Sequence, residues 1–159
     1  MNAEEILDAA AGLFAEHGVN AVGMGEVAKA AGCSRATLYR YFADRHELHL
    51  AFVRREARRI GALLPTDDVV EAVLAAVREV RARPELIAWF GAADAGTAAE
   101  LAQSDAVVGG LGDEETARWL VRVVVSLLIV PGRDEAEERA MVERFVLPGV
   151  LPPVPGAGR

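Results

Sequence analysis

The sequence predicts an all-α fold of about nine helices. Apolar residues recur at three- and four-residue spacing along most of the chain, which is the spacing of one helix face. Residues that cap helix N-termini precede several of these segments, and Gly or Pro follows them. The chain has 159 residues, of which 52% are hydrophobic, so it can bury a sizeable core. We expect three short N-terminal helices followed by a larger helical region.

The first two helices are bounded by recognisable capping signals. Asn2 and Glu5 form a capping box ahead of an apolar helical stripe, and Gly18 ends that helix. A second helix is predicted over residues 24–31, with Gly23 as a weak N-cap.

The segment Gly32–Phe42 has the outline of a turn followed by the second helix of a helix-turn-helix. Glycine takes the left-handed conformation that ends the preceding helix, and Ser34 can cap the next one. Leu38 and Phe42 are four residues apart, so their apolar side chains lie on one face of the helix and can anchor it. The remaining side chains are donors, aromatics and a methyl group, which suit phosphates and base edges.

Further helices are predicted after residue 43 by the same signals. Asp44, Thr66, Asp113 and Asp134 are expected to cap four of them, and Pro84 suits the first turn of another. The predicted segments are 44–61, 66–80, 84–90, 98–108, 113–130 and 134–147, with a Gly-rich loop at 109–112.

The segment Trp119–Val130 is apolar nearly all round, so it is expected to be buried. Its polar positions, Arg118, Arg122 and Ser126, recur every four residues, which favours a helix. The β-branched run Val121–Val125 would also suit a strand.

Charge and composition restrict the class of protein. The net charge is −7, yet residues 33–61 hold seven Arg and three acidic residues, which is typical of a nucleic-acid surface or of an Arg-rich solvated helix. Part of this charge lies opposite the apolar side of the helix at 44–61. Cys33 is the single cysteine, so no internal disulfide is possible. The absence of a signal-peptide pattern or a bilayer-length apolar run predicts a cytoplasmic protein without a membrane partner.

The segments Ile6–Gly18, Val27–Phe42 and Arg45–Leu48 carry Gly, Ser, Thr-Leu-Tyr and Tyr-Phe at specific mutual spacings. Together they resemble the DNA-binding domain of the TetR family of transcriptional repressors. The resemblance implies an N-terminal three-helix helix-turn-helix DNA-binding domain and a C-terminal helical domain for ligand binding and dimerisation. The expected boundaries are 1–45 for the first domain, 46–148 for the second and 149–159 for an irregular tail.

The resemblance also assigns roles to residues of the helix-turn-helix. Arg35 and Thr37 match positions that reach base edges, while Tyr39, Tyr41 and Arg45 match positions that hold the phosphate backbone. Arg40 could do either, and a solvated face of a small helix is the alternative interpretation. The expected DNA-binding residues are Ser34, Arg35, Thr37, Tyr39, Arg40, Tyr41 and Arg45.

Two further sites are expected in the C-terminal region. An apolar ligand pocket is assigned to Leu74, Val77, Leu86, Trp89, Phe90 and Leu101, although Trp89 and Phe90 could equally be core residues. The resemblance implies a four-helix dimer interface, assigned to Val121, Val124, Leu127, Leu128, Met141 and Phe145.

The implied function is that of a ligand-responsive repressor. It would bind a palindromic operator in double-stranded DNA as a homodimer and be released by a small apolar molecule. One alternative is a helical interaction or small-molecule-binding module that has lost DNA binding. The other is an enzyme, which is disfavoured because no Ser/His/Asp arrangement or phosphate loop is recognisable. No cofactor or metal is expected, since His46 and His49 lack further ligands at suitable spacing.

Overall fold

The computed structural model describes residues 1–92 and 114–150. All secondary structure in these ranges is helical, and none of the helices there is long and apolar enough to cross a membrane. The helices are α1 Ala3–His17, α2 Met24–Ala30, α3 Arg35–Tyr41, α4 Arg45–Gly61, α5 Val69–Arg81, α6 Pro84–Ala92, α7 Glu114–Ile129, α8 Glu135–Met141 and α9 Leu147–Val150. A π-helical turn, Val142–Val146, connects α8 directly to α9.

The predicted capping residues begin four of these helices. Asn2 accepts the backbone N–H of Glu5 at 2.9 Å, and the Glu5 carboxylate accepts the N–H of Asn2 at 2.7 Å, which completes the capping box. Ser34, Asp44 and Asp134 each accept the N–H of the residue three positions later. These four predictions are confirmed, because each cap depends only on residues close in sequence.

Other boundaries differ from the predicted ones. Asp68, and not Thr66, caps α5 by accepting the N–H of Glu71 at 2.9 Å, so this helix begins at Val69. Helix α7 is helical throughout, which excludes the strand alternative for its valine run. Helix α9 continues to Val150, two residues into the predicted tail. The predicted helix at 98–108 and the loop at 109–112 lie outside the described residues.

Two hydrophobic clusters hold the helices together. The first joins the N-terminal helices α1–α4 to α5 and α6, and it includes Ile6, Phe14, Leu38, Phe52, Leu86 and Trp89. The second lies between α5, α7 and the π-helical turn, and it includes Val73, Leu74, Val77, Leu120, Leu127 and Val142. The core therefore continues from the helix-turn-helix region into the C-terminal helices through α5 and α6.

A buried arginine fastens α4 to α1. Arg55 is only 3% exposed, although the sequence places it on the charged side of α4. Its guanidinium donates to the Asp8 carboxylate at 2.8 Å, to the Leu7 carbonyl at 3.2 Å and to the Glu56 carboxylate at 3.1 Å. The charge is thus paired, as a buried cation must be, and α1 and α4 are connected by more than apolar packing.

A second polar network connects α5, α7 and α8. Arg81 donates to both carboxylate oxygens of Glu138, at 2.7 and 2.9 Å, and to the Leu127 carbonyl at 3.1 Å. The backbone N–H of Gly132 donates to the same carboxylate at 2.9 Å. Hydrogen bonds from Arg81 lower the pKa of Glu138 below its ordinary value despite its burial. The carboxylate therefore fixes the turn between α7 and α8.

Candidate nucleic-acid interface

The turn between α2 and α3 is built around Gly32. Its φ of 68° lies in the left-handed region, where a residue with a Cβ would be strained. The Gly32 N–H donates to the Lys29 carbonyl at 3.1 Å, and the Cys33 N–H donates to the Ala28 carbonyl at 2.9 Å. These bonds satisfy the last carbonyls of α2 and set the direction in which α3 leaves the turn.

Ser34 and Thr37 form a local hydrogen-bonded pair at the start of α3. The Ser34 hydroxyl oxygen accepts the Thr37 N–H at 3.0 Å and lies 3.0 Å from the Thr37 hydroxyl oxygen. Both hydroxyl groups therefore take part in the helix cap. The Thr37 methyl group suits contact with a thymine methyl.

Helix α3 presents an exposed face above a buried anchor. Leu38 is fully buried and Phe42 is nearly so, and both pack in the first hydrophobic cluster. Arg35, Tyr39 and Arg40 are exposed on the remaining surface of the helix. The anchor packs α3 against the core and leaves two arginines and one tyrosine on the exposed side of the helix, an arrangement that can contact base edges and phosphates.

Tyr41 and Arg45 are both engaged within the protein. The Tyr41 hydroxyl donates to the Met1 carbonyl at 2.8 Å. Arg45, at the start of α4, donates to the carbonyls of Val19 and Asn20 at 3.0 and 2.7 Å. Arg45 thus connects the α1–α2 loop to α4, and Tyr41 connects the chain start to α3. Both residues stabilise the packing of the elements that form this surface.

His49 packs behind this surface and is uncharged at neutral pH. Its ring stands edge-on to Phe14 with the ring centroids 5.1 Å apart. Burial, and to a lesser extent the nearby charges of Arg45 and His46, lower the pKa of His49 to about 4. A neutral ring can accept the weak, 3.4 Å contact from Arg45 Nε.

An apolar cavity of about 90 Å³ lies between α4, α5, α6 and α7. The described side chains that line it come from these four helices and the segment after α4, and none of those is polar. They are Ala57, Ile60, Ala72, Val73, Ala76, Val80, Phe90, Leu120, Val121, Val124, Val125 and Leu128, with Gly61 and Leu64 beside them.

Among the five predicted pocket residues that the structure describes, only Phe90 lines this cavity. Leu74 and Val77 face the second hydrophobic cluster on the other side of α5, and Leu86 and Trp89 pack in the first cluster. Leu101 lies outside the described residues. Helix α5 is apolar on two sides, so its sequence alone does not show which side faces a cavity.

The structure divides the residues predicted for the dimer interface into two groups. Val121, Val124 and Leu128 line the cavity inside the subunit. Leu127 is buried against α5 and also borders a groove on the outer face of α7. Met141 and Phe145 are exposed along that groove, which has a volume of about 370 Å³.

Sequence reasoning missed three features that position these sites. Trp119 is 48% exposed beside the groove, where its place on an apolar helix had indicated burial. The role of Arg55 depends on partners about 50 positions away in the chain, for which the sequence gives no signal. The small residues Ala57 and Gly61 on α4 leave the space of the cavity, and their four-residue spacing is the signal that could have indicated it.

Comparison with known proteins agrees with this architecture. The model of the family described as bacterial regulatory proteins, tetR family, matches residues 6–52. The HTH-type transcriptional regulator Rv1255c of Mycobacterium tuberculosis is 43% identical over 173 residues, which cover 94% of this chain and 86% of that protein. The HTH-type transcriptional repressor AcnR of Corynebacterium diphtheriae is 32% identical over 90 residues, which cover 57% of this chain and 45% of that one.

Solved structures show the same fold across the described helices. The TetR family repressor AlkX from Dietzia sp. superimposes with a TM-score of 0.64 at 19% identity, covering 94% of this chain and 95% of that one. A TetR transcriptional regulator from Rhodococcus sp. RHA1 gives a TM-score of 0.62 at 24% identity, covering 94% and 98%. The chain therefore belongs to the TetR family, and it is a helix-turn-helix transcriptional regulator and not an enzyme.

Proposed function

We propose that this regulator is a homodimeric repressor that binds a palindromic operator through α3 and is released by a small apolar molecule. The observation that carries the proposal is the exposed face of α3, with Arg35, Tyr39 and Arg40 mounted on the buried anchor of Leu38 and Phe42. A guanidinium group can donate two parallel bonds to guanine, and a phenol can donate to a phosphate. Residues 1–45 then form the DNA-binding domain and residues 46–148 the ligand-binding and dimerisation domain.

The groove on the outer face of α7 supports assembly of two copies. Trp119, Met141 and Phe145 are large, apolar and 44–67% exposed along the groove. A cluster of this kind is costly to leave in water and is typical of the centre of an interface. Two copies related by a two-fold axis would bury the same residues twice and would present two α3 helices to one duplex.

The cavity supports a response to an apolar ligand. Its volume of about 90 Å³ is well below the 300–1,000 Å³ that is usual for ligand pockets. A ligand of ordinary size therefore needs a wider cavity than this one, and the proposed widening is a movement of α4 away from α5 and α7. Because binding energy is gained only in this widened state, the ligand shifts the population toward it.

Helix α4 carries such a movement to the DNA-binding surface. Ala57 and Ile60 of α4 line the cavity, Arg55 ties the same helix to α1, and Arg45 ties it to the α1–α2 loop. A shift of α4 therefore displaces the helix-turn-helix as one body. The two α3 helices of a dimer would then no longer match the separation of the half-sites.

Selection of bound duplexes from a random DNA pool tests the proposal. We expect enriched sequences with dyad symmetry and half-site centres about 34–36 Å apart, one helical turn. Enriched sequences without dyad symmetry would contradict the homodimer. No enrichment at low salt, where phosphate contacts are strongest, would instead favour an interaction module without DNA binding.

A further inference from the structure

Gly25 in the first turn of α2 has no local structural reason to be glycine. Among the described residues, only Gly18 and Gly32 adopt a positive φ, so the backbone at Gly25 could accommodate any L-residue. Glycine also weakens a helix relative to alanine, because it loses more backbone freedom on folding. The absence of a side chain at this position therefore has another cause.

The space beside Gly25 is occupied by the guanidinium group of Arg35. A Cβ atom placed on Gly25 would lie 2.9 Å from Arg35 Nε and 3.0 Å from Arg35 Cζ, and closer still to Nη2. These distances are too short for a real Cβ atom, so a side chain at residue 25 would displace the guanidinium group from its present place beside α2. The neighbouring Gly23 differs, since a Cβ there would make one ordinary contact of 3.5 Å.

We propose that Gly25 is a specificity-determining residue that positions Arg35 to read guanine. The inference rests on the proposed function, in which Arg35 contacts a base edge. A free arginine side chain must be ordered before its two parallel donors meet guanine O6 and N7, and this ordering costs conformational entropy. In the folded protein the guanidinium group already lies beside Gly25 of α2, so part of that ordering precedes DNA binding.

A double-mutant cycle on the selected operator tests this coupling. Gly25→Ala is expected to weaken operator binding about tenfold when Arg35 is present, because one bidentate base contact is lost. In the Arg35→Ala background the same substitution is expected to change affinity less than about twofold, because the displaced group is absent. Gly12→Ala on α1 is the matched control, since a Cβ at Gly12 meets nothing within 4 Å.

A modified base gives a second measurement on the same variants. Replacing the guanine that Arg35 reads by 7-deazaguanine removes the N7 acceptor, and it is expected to weaken wild-type binding about tenfold. The Gly25→Ala protein should lose much less, because its Arg35 has already left that position. Unfolding midpoints are expected to be unchanged or raised by Gly25→Ala, since alanine favours the helix.

Two results would overturn the inference while the proposed function stands. They are equal losses from Gly25→Ala in both Arg35 backgrounds, and equal sensitivity of wild type and Gly25→Ala to 7-deazaguanine. An intact sequence preference in Arg35→Ala would also overturn the inference alone, because Tyr39 and Arg40 remain on α3. Failure of the proposed function has a different signature: the wild type shows no sequence preference.

Discussion

Replacing Arg55 by alanine is expected to destabilise the protein strongly, even though the residue is one of several arginines on α4. Its guanidinium is buried and donates to the Asp8 carboxylate, the Leu7 carbonyl and the Glu56 carboxylate. The substitution removes these bonds, together with a 3.5 Å contact to the Glu4 carbonyl, and leaves a cavity between α1 and α4. It also leaves the Glu56 carboxylate with Arg59, which donates to it at 3.1 Å.

The size of the effect follows from these contacts. Removing one partner of a buried ion pair costs about 3–5 kcal/mol, because the other partner loses its compensation. The Asp8 side chain is 64% exposed and regains water, and Glu56 keeps a second arginine, so we expect the lower end, about 3 kcal/mol. That is a large part of the 5–15 kcal/mol by which domains are usually stable. Arg55→Lys keeps the charge but not the planar fork, so its expected cost is about half as large.

Urea unfolding followed by circular dichroism at one fixed protein concentration measures this difference. Arg58→Ala is the matched control, because Arg58 lies on the same helix and is exposed, and within the described ranges its side chain donates only to the Arg54 carbonyl at 3.5 Å. We expect this control to change the unfolding free energy by less than about 0.5 kcal/mol. Equal losses for Arg55→Ala and Arg58→Ala would refute the argument that Arg55 fastens α1 to α4.

Three further outcomes are expected. Phe145→Asp should convert dimers to monomers in sedimentation equilibrium. Leu63→Asp, at an equally exposed position outside the groove, should leave dimers intact. If both variants remained dimeric, the interface would lie elsewhere. Glu138→Gln should lower the free energy of unfolding by about 2 kcal/mol at pH 7. Because the pKa of Glu138 is lowered in the folded protein, the wild-type carboxylate loses its stabilising effect as the pH falls below about 4.5, so the difference between the two proteins should shrink there. Urea titrations at pH 7 and below about pH 4.5 check the sign. Arg35→Ala should relax sequence preference, whereas Tyr39→Phe should weaken selected and scrambled duplexes alike in anisotropy titrations; the reverse pattern would exchange their roles.

The features that could be predicted from the sequence are the ones that depend on near neighbours. The caps formed by Asn2, Ser34, Asp44 and Asp134 each join residues three positions apart, so composition and spacing are sufficient. The left-handed Gly32 follows from the same local logic. The helix-turn-helix is therefore readable residue by residue.

The features that could not be predicted depend on which helix faces which. Arg45 stays a predicted phosphate contact, but the sequence does not indicate its bonds to carbonyls about 25 positions earlier in the chain. Helix α7 is apolar nearly all round, so its pattern does not separate Val121, which lines the cavity, from Trp119, which borders the outer groove. Periodicity shows how much of a helix is buried but not whether the covering surface belongs to the same subunit.

We propose above that two α3 helices of one dimer read two half-sites on the same face of a duplex. Affinity for the selected operator should therefore be compared with affinity for a variant that carries about five extra base pairs, half a helical turn, between the half-sites. We expect the insertion to reduce the affinity to that of a single half-site, because the second half-site is moved to the opposite face of the DNA. Equal affinity for the two duplexes would contradict it.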